Sequence, residues 1–144
     1  MKNVNLLKAM IAGIAGTVAM TIVSVYVAPM MGMPKMNPVD MLAGQMGGNA
    51  LLGWGAHFMI GIVFAIAYAF VAKSLPGAPW LRGALFGVAP WLIAQAAVMP
   101  MMGMSFFSGS MLMAGGSLIG HVIYGTVVGA TYGAHASVPR TANA

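Results

Sequence analysis

Apolar residues run almost unbroken through four stretches of the chain, at about 6–28, 50–72, 79–98 and 115–134, each near the roughly 20 residues that a helix needs to cross a bilayer. Polar positions regroup between the first two stretches. There Asn37 stands as an N-cap, Pro38 at the first helical place, Asp40 in the first turn and Gly47-Gly48 after the end, a pattern that predicts a short helix lying at the membrane surface. Inside the apolar runs the polar residues are few, and His57, His121, Ser24 and Gln95 stand out. The pattern predicts an all-α membrane protein whose four transmembrane helices form one bundle.

The runs are also related to one another. Pro29-Met30-Met31-Gly32-Met33 recurs as Pro100-Met101-Met102-Gly103-Met104, displaced by 71 residues, and Met41-Leu42 recurs near that shift as Met111-Leu112. The same displacement brings Ala12 and Gly16 onto Gly83 and Gly87, and Ser24 onto Gln95. The chain therefore reads as two tandem helical hairpins, about 5–72 and about 79–134, with some seven extra residues in the first placed within about 43–56. Two crossings per repeat send both repeats into the membrane in the same direction, so their expected relation is a twofold pseudo-axis along the membrane normal. Ala12-x-x-x-Gly16 and Gly83-x-x-x-Gly87 are pairs of small residues that let helices approach closely in lipid. Pro90 is expected to kink the third helix.

Composition fixes the class and charge fixes the expected orientation. Of 144 residues 60% are hydrophobic and only 5% charged, too few charges to keep a soluble domain of this size dispersed. The net charge of +5 comes from scattered cations, which argues against nucleic acid as a partner and for topology. Lys2, Lys8, Lys73, Arg82 and Arg140 fall on one side and Lys35 with Asp40 on the other, so both termini are predicted cytoplasmic, with residues 135–144 a flexible tail. Trp54 and Trp80 suit the two interfaces, and His135 the inner one. Lys2 and Lys8 could open a signal peptide. The apolar run is too long for one, however, and Tyr26 occupies the place before Ala28 where a small residue is needed, so a retained helix is expected.

The candidate chemistry centres on the two histidines. Each is followed by a glycine four residues on and a tyrosine eleven on (Gly61 and Tyr68, Gly125 and Tyr132), which at about 100° per residue lie on one stripe within about 40°. His57 and His121 match at a shift of 64 residues, so they belong at similar depth, on the outward side, roughly 10 Å below the surface. Intramembrane ionisable residues are functional candidates by default. The pair suggests a cavity between the second and fourth helices, with Gly61 and Gly125 making room and Ser24 or Gln95 positioned to hydrogen-bond an imidazole. Haem b with two histidine ligands fits a bundle of this kind. Copper is the other candidate, since 12 of the 16 methionines lie within residues 29–46 and 99–113, and Met30, Met33, Met101 and Met104 would offer soft thioethers beside the imidazoles. Purely structural hydrogen bonding by the histidines, with no cofactor, is the plain alternative, as methionine filler is for the thioethers.

The run from His57 through Ile62-Val63-Phe64-Ala65-Ile66-Ala67-Tyr68, with Trp80-Leu81-Arg82-Gly83, Pro100-Met101-Met102-Gly103 and Gly120-His121, resembles the YagU-like family of small bacterial inner-membrane proteins of unknown function. That resemblance implies a multi-pass inner-membrane protein and carries no established reaction. Three roles stay open from sequence: a redox or metal-binding membrane protein, an accessory subunit packed against a larger membrane complex, and a small transporter or channel formed by a homo-oligomer. An enzyme is the least supported, because the chain has no cysteine, one acidic residue, no phosphate-cradling loop and no dinucleotide fingerprint.

Overall fold

In the computed structural model residues 4–133 are described, so Lys2, His135, Arg140 and the predicted tail from 135 onwards lie outside the described residues. Among the described residues four helices are long and apolar enough to cross a membrane: α1 (Leu6–Met30), α3 (Ala50–Val71), α4 (Pro79–Met101) and α5 (Met111–Gly133). A short helix, α2 (Pro38–Gln45), lies between the first two, and no strand is present among those residues. The Asn37 side chain caps α2 by accepting from the Val39 N–H at 3.1 Å, and its amide donates to Asp40 at 2.7 Å. Asp40 is thereby occupied as a helix-terminus charge.

The duplication is written into backbone geometry. α1 widens into a π-helical turn at Val23–Val27, and α4 does the same at Ala94–Val98, again 71 residues on. The cause in both is the proline that follows. Pro29 and Pro100 have no N–H, and their rings would collide with the carbonyl four residues back, so the turn before each opens and the residue preceding the proline bonds five back (Ala28 to Val23, Met99 to Ala94). The glycine of each motif then stops the helix at positive φ, +81° for Gly32 and +77° for Gly103. The N–H groups of Met33 and Met104 close each end on Ala28 and Met99, both at 3.0 Å. Pro-Met-Met-Gly-Met is thus a helix-ending device, and α1 and α4 run into it, to Met30 and Met101, beyond the ends near 28 and 98 that hydropathy predicts. α4 also continues through the buried Pro90.

The repeats differ where the first has its extra residues. Residues of the first repeat that correspond to the opening turns of α5 form α2, which ends in the turn at Gly47 and Gly48 and doubles back onto α3. Without that break the second repeat runs straight into α5, which therefore starts at Met111 and not near 115.

Packing follows the small residues. A Cβ on Gly13 would sit 2.8 Å from Ile62 Cα in α3, and one on Gly16 would sit 2.8 Å from Val128 in α5. The α4–α5 contact is closer still. Gly83 faces the backbone of Gly125 and Gly129, Gly87 faces the His121 carbonyl, and Gly129 faces the Pro79 carbonyl, with no space for a side chain at any of them. The helices are therefore arranged in the order α3, α1, α5, α4, while α3 meets α4 and α5 only marginally. Here the structure departs from the predicted twofold relation: α1 lies tightly on α5, but its symmetry counterpart, α4 on α3, stands ajar. Large apolar side chains such as Leu7, Val63 and Phe70 point outward, as a lipid-facing surface requires. Lys8 lies over the ring of Tyr132, 5.6 Å from its centroid, and Tyr132 meets Tyr68 edge-on, so the start of α1 and the ends of α3 and α5 gather at one end of the bundle.

Replacing Gly83 by Leu should destabilise the bundle by about 3 kcal/mol or more, because the obstructing atoms are backbone and cannot move aside. Gly55→Leu, where nothing lies within 4 Å, should leave thermal unfolding in detergent unchanged. Equal tolerance of both substitutions would contradict the packing described.

Candidate functional site

His57 is carried on α3 one turn before Gly61, and Gly61 is where α1 comes closest: a Cβ there would collide with the Thr17 hydroxyl. That contact places the next turn of α1, with Thr21, opposite His57. The Thr21 hydroxyl lies 2.9 Å from His57 Nε2 and donates to the Thr17 carbonyl at 2.7 Å. A hydroxyl has one proton to give. With that proton on Thr17, Thr21 accepts from the ring, so His57 carries its proton on Nε2 and leaves Nδ1 as a free lone pair.

His121 is fixed differently. Its Nδ1 lies 2.8 Å from the Ser117 carbonyl one turn back on α5, and a carbonyl only accepts. His121 therefore carries its proton on Nδ1 and leaves Nε2 free. Each ring is anchored through one nitrogen, and among the described residues the other makes no hydrogen bond.

Both rings line one cavity of about 270 Å³ at the centre of the bundle. All four long helices contribute: Met20 and Ser24 from α1, Ile60 and Phe64 from α3, Pro90 and Ile93 from α4, Tyr124 from α5. Met36, Met41 and Leu42, on and before α2, line it on the side of α2. Tyr124 donates its hydroxyl to the Gly61 carbonyl, which ties α5 to α3 where their backbones scarcely touch. Apolar walls dominate, and the chain's only acid, Asp40, is engaged with Asn37.

The sequence-predicted residues separate into two groups. His57, His121, Gly61 and Ser24 come together on the cavity, although Ser24 bonds neither ring. Gln95 is fully buried and turned to the second connection, donating to Ser117 Oγ at 3.2 Å and accepting from Ser108 at 2.8 Å. Gly125 packs on Gly83 and does not border the cavity, whereas Gly61 borders it and also admits Thr17 of the neighbouring helix. Met30 and Met101 are 87% and 84% exposed at the helix ends. Met33 lies in a small cleft against Gly116, and Met104 stands outside the cavity. Five other methionines line it instead: Met20, Met36, Met41, Met99 and Met102. For Met102 the place was hidden because the Pro-Met-Met-Gly-Met motif ends a helix, which turns consecutive residues to opposite sides.

Thr21, Ser117 and Tyr124 are the site residues that the histidine spacing did not reveal. A signal for Thr21 existed, since Gly13, Thr17 and Thr21 follow one another at four-residue intervals on one face of α1. For Ser117 there was none, because it is the backbone carbonyl that holds His121.

A family profile matches residues 3–143, nearly the whole chain. The chain belongs to the DUF6789 family. It is a family of unknown function, so membership fixes the relationship and leaves the chemistry of the cavity to be read from its residues. No curated protein and no solved structure matches the chain.

Thr21→Val keeps the side chain's shape but strips the acceptor from a buried ring N–H, which should cost about 1–3 kcal/mol of stability. Ser24→Ala, one turn on, should cost less than about 0.5 kcal/mol. Thermal unfolding of the two variants in the same detergent checks the assignment; the reverse order would return the role of imidazole anchor to Ser24.

Proposed function

We propose that this protein holds copper(I) inside the membrane, between His57 Nδ1 and His121 Nε2, with a thioether from the cavity-lining methionines completing the set. The observation that carries this reading is the anchoring of both rings. Histidines that ligate metals characteristically donate their other ring N–H to a protein acceptor, which fixes the tautomer and aims the lone pair. Here both do so, on different partners, at the rim of one shared cavity.

The donor set selects the ion. Among the described residues no three of His, Cys, Asp and Glu stand together, so any metal here would rest on two imidazoles and on soft or neutral groups. A divalent ion in an apolar cavity without a carboxylate would keep an uncompensated double charge, at high desolvation cost. A soft monovalent ion suits imidazole and thioether ligands and carries half that charge. Haem b is the weaker candidate. A cavity of about 150 Å³ takes a benzene ring, so about 270 Å³ admits one substituted ring and not a porphyrin.

Orientation follows from charge. Lys8, Lys73 and Arg82 belong to the end where Tyr68 and Tyr132 meet, and Lys35 with Asp40 to the other. In this reading the cation-rich end is cytoplasmic, the cavity and its methionine-lined roof lie towards the outer face, and the YagU-like resemblance supports the bacterial inner membrane as the location.

Competition against a chromophoric copper(I) chelator should show one copper(I) per chain, weakened at least about tenfold in His57→Ala and in His121→Ala alike. Undiminished binding in either variant, or none in the native protein, would remove the copper reading and leave a packing or accessory role. Because the chain has no cysteine, single-cysteine labelling tests the orientation cleanly. In intact cells an impermeant maleimide should label Lys35→Cys and spare Lys73→Cys; the opposite result would invert the topology.

A further inference from the structure

The cavity has a side door. α3 and α4 both border it yet scarcely touch each other, unlike α1 with α5. Ile60 on α3 and Ile93 on α4 both line it, and they are 42% and 49% exposed on the outer surface of the bundle. Both therefore reach from the cavity to the surface that the lipid-facing side chains share, and Phe64 and Pro90 line the cavity with them. A metal ion arriving from water has no use for such an opening. A molecule dissolved in the membrane does.

We propose that a membrane-soluble dihydroxy aromatic compound, of the quinol class, enters between α3 and α4 and seats its ring in the cavity, its hydroxyls donating to His57 Nδ1 and His121 Nε2. Three features select this occupant. The volume of about 270 Å³ suits a single substituted ring, given that about 150 Å³ takes benzene. The walls are apolar, with the aromatic faces of Phe64 and Tyr124, and the lateral mouth lets an alkyl tail trail into the lipid. The two free ring nitrogens are acceptors that call for a donor. The Thr17 hydroxyl is spent on Gly13 and the Tyr124 hydroxyl on Gly61; the Ser24 hydroxyl and that of Ser117, which accepts from Gln95, keep a proton to donate, whereas the two ring nitrogens only accept. A quinol offers two donors to match them. The oxidised quinone offers carbonyls, which would face two lone pairs, so the site discriminates in favour of the reduced form.

This inference goes beyond the copper reading and does not rest on it. The two occupants use the same lone pairs and exclude one another, and they arrive by different routes, the ion from the methionine-lined roof and the quinol from the lipid. The test uses chelator-treated protein in nanodiscs under anaerobic conditions, with a decyl-substituted benzoquinol and its quinone as probes. One quinol should bind per chain, with the quinone at least about tenfold weaker, and His57→Ala or His121→Ala should each weaken the quinol about tenfold or more. Ile60→Trp and Ile93→Trp, at exposed positions that should not disturb folding, are expected to plug the mouth. They should abolish quinol binding and leave copper(I) binding intact. Equal or tighter binding of the quinone, or quinol binding unaffected by the plugged mouth or by loss of either histidine, would overturn the proposal. Retained quinol binding in a protein that fails to bind copper(I) would sink the copper reading alone.

Discussion

Backbone-to-backbone approach at glycines is the contact on which this bundle depends. Helices in lipid gain little from hiding apolar surface, since the surrounding tails are as apolar as their side chains, and association falls to close packing and polar contacts. Gly83 and Gly87 against Gly125, Gly129 and the His121 carbonyl provide the first; Gly13 and Gly16 do the same for α1. These contacts also place the chemistry. Gly87 lies on the backbone of His121 itself, and the meeting of Gly61 with Thr17 brings Thr21, one turn further, to the ring of His57. The tight contacts join three of the four neighbouring pairs of helices. The fourth, between α3 and α4, has none, and the cavity and its mouth are what that omission leaves.

Polar groups at membrane depth must find partners or line a cavity, because the hydrocarbon offers none. Most do find them here. Thr17 and Thr21 bond back to their own helix, Gln95 bridges Ser117 and Ser108, and Trp91 donates to the Ala114 carbonyl at 3.0 Å. Against that background the free nitrogen on each of two histidines is a meaningful exception. Both histidines line the same space, which is mostly apolar and free of carboxylates. Such a space rewards a soft monovalent ion or a neutral hydrogen-bond donor and resists hard divalent ions.

Much of the fold was legible in the sequence because its signals are local. Hydropathy set the four spans, Asn37-Pro38 and Gly47-Gly48 bounded α2, and the repeated Pro-Met-Met-Gly-Met announced the duplication. What the motif does was less visible. It reads as a methionine cluster, but its proline forces a π-helical turn and its glycine ends the helix, so Met30 and Met101 face outward while Met99 and Met102 face the cavity. The partners of the histidines were harder again. Ser24 and Gln95 stand at matching places in the two repeats, which suggested equal roles. The repeats have diverged, however: Thr21 of the first corresponds to Leu92 of the second, and His121 turned to its own backbone instead. Internal symmetry marks the pair but not the groups that hold it. The break in that symmetry, α3 ajar from α4, depends on tertiary packing and left no mark in spacing.

The central claim is that two oppositely protonated imidazoles present free lone pairs to one cavity. Nitrogen-15 NMR of histidine-labelled protein in nanodiscs, with silver(I) as the closed-shell analogue of copper(I), tests it most directly. Before metal is added, His57 should appear as the Nε2–H tautomer and His121 as the Nδ1–H tautomer. One equivalent of silver(I) should then shift His57 Nδ1 and His121 Nε2 together, with both N–H protons retained. The opposite tautomer at either ring, or a response from one ring without the other, would contradict the account.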